Sequence, residues 1–163
     1  MTAKDVLKNA LKSNHEILSM YLSDLSDTDL LVRPTPGANH IAWQLGHLIS
    51  AETRFLGTIP GAKAPPLPAG FAEQHNKNTA KSESPSGFLT KAQYLEMYNR
   101  TREATEAALA SLPDADLDKQ VADDFARMAP TIGSRFFLLA NHEMMHAGQF
   151  TVTRRKLGKP VLF

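Results

Sequence analysis

Leu139-Ala140-Asn141-His142-Glu143-Met144-Met145-His146-Ala147-Gly148-Gln149-Phe150 decides the reading of this chain. His142 and His146 stand four residues apart. On a helix that spacing stacks two imidazoles on one face, one turn apart. Two nitrogens so placed can grip one divalent ion, but a third ligand has to come from elsewhere. The best candidate is His47, in Trp43-Gln44-Leu45-Gly46-His47-Leu48. Around the pair the pattern predicts a helix from about Thr131 to Leu157. Gly158 and Pro160 stop it, and Arg154, Arg155 and Lys156 fill its last turn, where cations suit the helix dipole. Leu139, His142, His146, Gln149 and Thr153 form one stripe. Phe136, Ala147 and Phe150 flank it on one side, and Leu138, Met145 and Val152 on the other. The histidines therefore sit in the middle of an apolar face.

Three more amphipathic helices precede this one. Thr2 to Leu25 carries Leu7, Leu11, Leu18, Tyr21 and Leu25 on one stripe, with Asn14 in its gap and His15 beside it. His15 reads as a packing or surface residue. Leu30 to Gly37 is a connector, because Pro34, Pro36 and Gly37 cannot continue a helix. Asn39 is then a suitable N-cap for a second helix from about His40 to Thr58. Its stripe is Ile41, Leu45, Leu48, Phe55 and Ile59, and it also holds Glu52, a carboxylate that needs a partner if buried. That partner is either a metal-bound imidazole or an arginine. Residues 60–88 are punctuated by Pro60, Gly61, Pro65, Pro66, Pro68, Gly70, Pro85 and Gly87 and read as a long crossover. Phe71 and Phe88 can pin it to the bundle, and His75 is expected to face solvent.

Thr90 and Gln93 form a capping box for a third helix ending near Leu112 and Pro113. Its stripe, Leu95, Tyr98, Arg102, Thr105, Leu109 and Leu112, is polar in the middle. Either Ala104 and Ala108 turn inward instead, or Tyr98, Arg102 and Thr105 edge a polar cavity. The 113–130 stretch is a second connector, with a short turn or strand pair expected around Val121 to Phe125.

Length and composition set the limits. The chain has 163 residues, enough for one domain with its own core. Eighteen Lys and Arg against 17 Asp and Glu give no electrostatic case for nucleic acid. Without cysteine there is no disulfide, no thiolate metal site and no cysteine nucleophile. The start lacks the apolar run of a signal peptide, and no stretch is apolar enough to span a bilayer. A soluble cytoplasmic protein is expected, with no membrane or nucleic-acid partner.

Four amphipathic helices with two long connectors predict an all-α four-helix bundle. The 60–88 crossover can carry the chain back along the bundle, so that helices two and three run parallel in an up-down-down-up arrangement. His47 can then meet His142 and His146 from the side. Three neutral imidazoles suit a borderline divalent ion and leave a position for water or substrate. Three ordinary core histidines with hydrogen-bonded rings are the alternative.

The segments Trp43 to Glu52, His142-Glu143-Met144-Met145-His146-Ala147-Gly148-Gln149 and Arg154-Arg155-Lys156-Leu157-Gly158-Lys159-Pro160 resemble the DinB-like (DinB/YfiT) superfamily in order, separation and layout. The resemblance covers nearly the whole chain, 1–163, as a single domain. It implies that His47, His142 and His146 bind a divalent metal, commonly zinc or nickel. It also implies thiol-dependent transfer or isomerisation with low-molecular-weight thiols in some members, no known reaction in many, and frequent homodimers. The family name records damage-inducible expression, which is not a mechanism. The reading that results is a metal-dependent enzyme that activates a thiol or water for transfer to, or hydrolysis of, a small electrophile. Glu52, Tyr98 and Arg102 are the candidates for positioning. A metal-binding stress-response or interaction module without turnover is the alternative. His40, seven residues before His47, lies about 10 Å away along the axis and can line the approach. Surplus apolar residues, Val6, Ile17, Leu138 and Val152, predict a dimer face.

Overall fold

The computed structural model describes residues 1–81 and 86–162; Pro85, one of the expected breakers, lies outside the described residues. Four long helices form a bundle: α1 (Ala3–Leu22), α2 (Ile41–Leu56), α4 (Lys91–Ser111) and α5 (Ile132–Lys156), with one short turn, α3 (Phe71–Gln74), inside the crossover. Three of the four begin on a threonine capping box, at Thr2, Thr90 and Thr131. Each such cap is worth about 1 kcal/mol and fixes where its helix starts.

Contacts along the helices give their directions. Lys4, at the start of α1, donates to the Leu112 carbonyl at the end of α4, and Lys91, at the start of α4, donates to the Leu25 carbonyl just beyond α1. These two helices are antiparallel. Asn14 meets the Ala140 carbonyl at 2.7 Å, and Arg154 meets the Tyr21 carbonyl at 2.8 Å, so α1 and α5 run parallel. Gln44 reaches His146 and Thr58 reaches Arg135, so α2 opposes α5. The order is up-down-down-up, and the 60–88 crossover is what lets α2 and α4 run the same way.

The core is two apolar clusters with a polar layer between them. At one end Leu7, Leu11, Phe55, Leu56, Leu109 and Phe136 pack together. At the other Leu18, Leu22, Leu45, Tyr94, Tyr98 and Phe150 do so. Each such side chain contributes about 1.5–3 kcal/mol by leaving water. Between the clusters all four helices turn polar: Asn14 and His15 on α1, Glu52 on α2, Arg102 and Thr105 on α4, Glu143 and His146 on α5. The polar middle of α4 is therefore buried. Tyr98, Arg102 and Thr105 are all inside, and His15 stacks on the Tyr98 ring at 4.9 Å.

Some boundaries differ from the sequence reading. The cap of α2 is His40, not Asn39: the His40 ring accepts the Trp43 amide at 3.1 Å, while the Asn39 carbonyl takes the Gln44 side chain. In α1, Leu22 rather than Tyr21 takes the buried place. The 113–130 connector holds a short 3-10 turn, Asp114–Asp118, and one bridge between Gln120 and Thr131; of the turn or strand pair expected around Val121 to Phe125 the turn forms, with the Ala126 amide donating to the Asp123 carbonyl at 2.9 Å. Phe71 is buried and Phe88 half-buried, and both hold the crossover down. His75, expected in solvent, is 1% exposed. Among the described residues no helix is long and apolar enough to cross a membrane.

Candidate metal centre

His47, His142 and His146 meet. Each offers one ring nitrogen, and these nitrogens all lie within 4.8 Å of one another; among the described residues no other group of His, Cys, Asp or Glu is placed to hold a metal ion. The helical spacing delivers two of the rings from α5, and the antiparallel approach of α2 delivers the third. His47 Nδ1 lies 3.1 Å from the His75 carbonyl oxygen, and an oxygen there can only accept. Nδ1 therefore carries the proton and Nε2 the lone pair. His146 Nδ1 lies 2.8 Å from Gln44 Oε1, while the amide nitrogen of Gln44 donates to the Asn39 carbonyl. The same logic leaves His146 Nε2 with a lone pair. It faces His142 Nε2 at 3.2 Å. Two neutral ring nitrogens that close must share either one proton or one cation, so this donor set fits a divalent ion.

The electrostatics favour the neutral form of all three rings. Burial is the first cause for all three. It lowers His47, against the pull of the His75 carbonyl. It takes His142 to about 4, helped by the charge His47 could carry. It takes His146 to about 3, with both other histidines adding to the shift. Trp43 lies flat on the His47 ring, with centroids 4.9 Å apart, and seals one side of it.

Beside the histidines, Glu52, Arg102 and Glu143 close on one another. Arg102 Nη2 donates to Glu52 Oε2 at 3.0 Å and to Glu143 Oε2 at 2.9 Å, with all three side chains buried. Of the two partners proposed for Glu52, the arginine is the one it takes. One guanidinium cannot neutralise two carboxylates. Burial, then the charge of Glu52, pushes Glu143 up to about 9, so it holds a proton at neutral pH. Burial also raises Glu52, but Arg102 opposes this. Arg102 Nε and Nη1, Glu143 Oε1 and the Tyr98 hydroxyl are buried with no hydrogen-bond partner among the described residues. This layer keeps spare donors and acceptors at the level of the histidines.

Sequence reasoning missed two members of the site. Glu143 directly follows His142 and lies about 60° round the helix from His146, and its adjacency to His142 was the available signal. Gln44 fixes the His146 tautomer, and no spacing rule marks it. His40 caps α2 and stands edge-on to Phe88 at 4.4 Å.

A family model described as the DinB superfamily matches residues 10–150. No curated protein matches the chain. Among solved structures, a conserved protein from Enterococcus faecalis superposes with a TM-score of 0.70 at 15% identity, over 98% of this chain and 99% of that one. YfiT from Bacillus subtilis superposes with a TM-score of 0.66 at 18% identity, over 96% of this chain and 89% of that one. YfiT is described as a probable metal-dependent hydrolase with an unusual four-helix bundle topology. At these identities the likeness is one of fold.

Proposed function

The chain belongs to the DinB superfamily, and from that premise we propose that it is a divalent-metal-dependent enzyme acting on a small electrophile. It works as one domain over 1–163, in the cytoplasm, where low-molecular-weight thiols stay reduced. His47, His142 and His146 hold the ion, zinc or nickel by the preference of imidazole ligands. The observation that carries this reading is the convergence of three ring nitrogens within 4.8 Å, two of them with their protons tied down on the far side. Such an ion supplies Lewis acidity, lowering the pKa of a water or a thiol toward neutrality. Neutral ligands leave its charge undiminished.

The chain's own groups do the rest. Gln44 and the His75 carbonyl orient two of the rings. Glu143, protonated, and Arg102 offer donors, and the Tyr98 hydroxyl and Glu52 complete a polar floor that can position substrate or pass a proton. Hydrolysis is the first reaction to try, because YfiT is described as a probable metal-dependent hydrolase. Thiol transfer is the second. The outer face of α5 takes a second copy of the chain.

Zinc- or nickel-loaded protein is assayed on small esters and amides, and on epoxides and aryl halides with low-molecular-weight thiols. Turnover that needs the metal and disappears in His142→Ala is the expected result. If loaded wild type is no faster than His142→Ala on every pairing, the enzyme reading fails, and a metal-binding module without turnover replaces it.

A further inference from the structure

The crossover reaches the metal centre through one buried residue, His75, whose side chain the proposed chemistry does not use. We infer that His75 is a positioning residue for His47: its ring locks the crossover so that its own carbonyl fixes the His47 tautomer. The inference rests on the metal reading for its consequence, but not for its geometry.

Every side of the His75 ring is taken. Nδ1 lies 2.7 Å from the Phe71 carbonyl oxygen, so it must donate. Nε2 is then a lone pair, and it lies 2.8 Å from the Tyr94 hydroxyl, which donates to it. Burial holds His75 neutral and keeps the Tyr94 phenol protonated, in agreement with that assignment. The Phe71 ring packs against the imidazole at 4.4 Å. On the remaining side the ring rests on the backbone of α2 at Gly46. A Cβ there would lie 2.1 Å from His75 Cδ2 and 2.3 Å from Cγ. Gly46 is inside a helix, where glycine is unfavourable relative to alanine, and the imidazole needs the space.

The consequence falls on the next residue. His47 follows Gly46, and its Nδ1 donates to the carbonyl of the same His75 at 3.1 Å. Side chain and carbonyl of one residue thus bracket α2 at 46 and 47. A second strut lies beside it: Trp43 Nε1 donates to Thr79 Oγ1 at 3.1 Å while the indole covers the His47 ring. Carbonyl partners of this kind orient ligating imidazoles and raise their basicity, and losing one costs about 10–100-fold in metal affinity.

The test uses the full chain. Gly46→Ala expels the His75 ring while favouring the helix, and Tyr94→Phe removes one hydrogen bond from that ring. Nitrogen-proton correlation spectra of zinc-free protein report the His47 tautomer, and competition with a chromophoric chelator reports zinc affinity. Wild type should show His47 protonated at Nδ1 alone. Gly46→Ala should show a mixture with the Nε2-protonated form, and its zinc affinity should fall about 10–100-fold with helix content retained. Tyr94→Phe should move both readouts the same way by less. A wild-type His47 spectrum in Gly46→Ala, or unchanged zinc affinity despite a displaced tautomer, overturns the inference. Wild type that takes up no zinc sinks the metal reading alone, and the zinc-free spectra still decide whether His75 sets the tautomer.

Discussion

α1 and α5 are parallel neighbours in the bundle, yet they are built on opposite plans. α1 buries Leu7, Leu11, Leu18 and Leu22 and turns Lys8, Lys12 and Glu16 to solvent. α5 buries Arg135, Glu143, His146, Thr153 and Arg154 among its apolar residues, and exposes Phe137, Met144, Met145 and Val152. The first helix is held by the hydrophobic effect. The second spends much of its inner face on polar groups, and Arg135, Glu143, His146 and Arg154 each take a partner from another element. Asp123 and Thr58 take Arg135, Arg102 takes Glu143, Gln44 takes His146, and Asp24 takes Arg154. A helix of this kind stays in place only because the rest of the fold supplies partners, and that is what a site requires of its scaffold.

Removing a partner should do the most damage. Arg102→Met leaves two carboxyls buried without a cation, and a loss of about 3–5 kcal/mol at neutral pH is expected in urea unfolding. The loss should depend on pH in a defined sense. Burial raises both carboxyls in the folded state, and without Arg102 only the Thr105 hydroxyl beside Glu52 opposes this. Protonated, they cost little, so the deficit is smallest below the ordinary carboxylate value of 4.5 and grows as pH rises through the raised value of Glu52, the carboxyl that Arg102 helps to ionise. Replacing Glu52 and Glu143 together with Arg102 by apolar residues should recover most of the stability. If Arg102→Met is neutral, the polar layer is not a closed charge cluster.

Next in size is a paired measurement on the two helices. Leu18→Ala, at a fully buried position on α1, should cost about 2–5 kcal/mol and leave metal content unchanged. His146→Ala, on α5, should do the reverse: metal falls to background by elemental analysis, while metal-free stability changes less than in Leu18→Ala. The fold outlasts its ion because the two apolar clusters do not depend on it, unlike small zinc modules. Full metal occupancy in His146→Ala would falsify the ligand assignment.

The same contrast explains what could be read in the sequence. Leu7, Leu11 and Leu18 were legible because helical burial is periodic. His142 and His146 were legible because two side chains share a helix face at a spacing of four, and His47 through its place in Trp43-Gln44-Leu45-Gly46-His47. Partners across the bundle were not. Glu143 is a carboxylate one position from a histidine, and only α4 arriving with Arg102 shows that it is buried. His75 lies among prolines and glycines, which predict exposure; its burial depends on Tyr94, Phe71 and the gap at Gly46, all distant in sequence. The cap at His40 instead of Asn39 is a competition between adjacent side chains for one amide, and spacing cannot resolve it.

A smaller effect follows from the imidazoles. His47, His142 and His146 have folded values below the ordinary 6.5. The unfolded chain therefore takes up protons first as pH falls. Their contribution to stability is present above 6.5 and lost as pH falls through the folded values, about 4 for His142 and about 3 for His146. Melting temperatures of metal-free protein should decline across that window, and His146→Ala should decline less. Zinc should raise the melting temperature at neutral pH and steepen the acid decline, because protons then also displace the ion. A metal-free profile that is flat between 6.5 and 4 would remove the electrostatic half of the comparison.

The smallest change in folding stability is expected on the outer side of α5. Phe137 and Met145 are each 54% exposed and Val152 is 46% exposed, and on α1 Val6 is 46% exposed. Ile17 and Leu138, also expected there, are half-buried. Helical spacing puts Phe137, Met144, Met145 and Val152 on one side, with Asn141 and Gly148 between them and no charge until Arg155. A strip of that kind, left in water, forfeits the burial that α1 obtains from its leucines. Two copies related by a two-fold axis can cover it with the same residues from both sides. Met145→Lys with Val152→Lys should leave monomer unfolding within about 0.5 kcal/mol, as surface changes usually do. It should still shift sedimentation equilibrium from dimer to monomer at micromolar concentration, with zinc content unaltered, because neither side chain faces the histidines. A wild type that is already a clean monomer sinks the dimer and leaves the exposed strip of α5 without a partner. A variant that loses zinc along with its dimer shows instead that the two faces of α5 are coupled, and that the second copy helps to hold His142 and His146 in register.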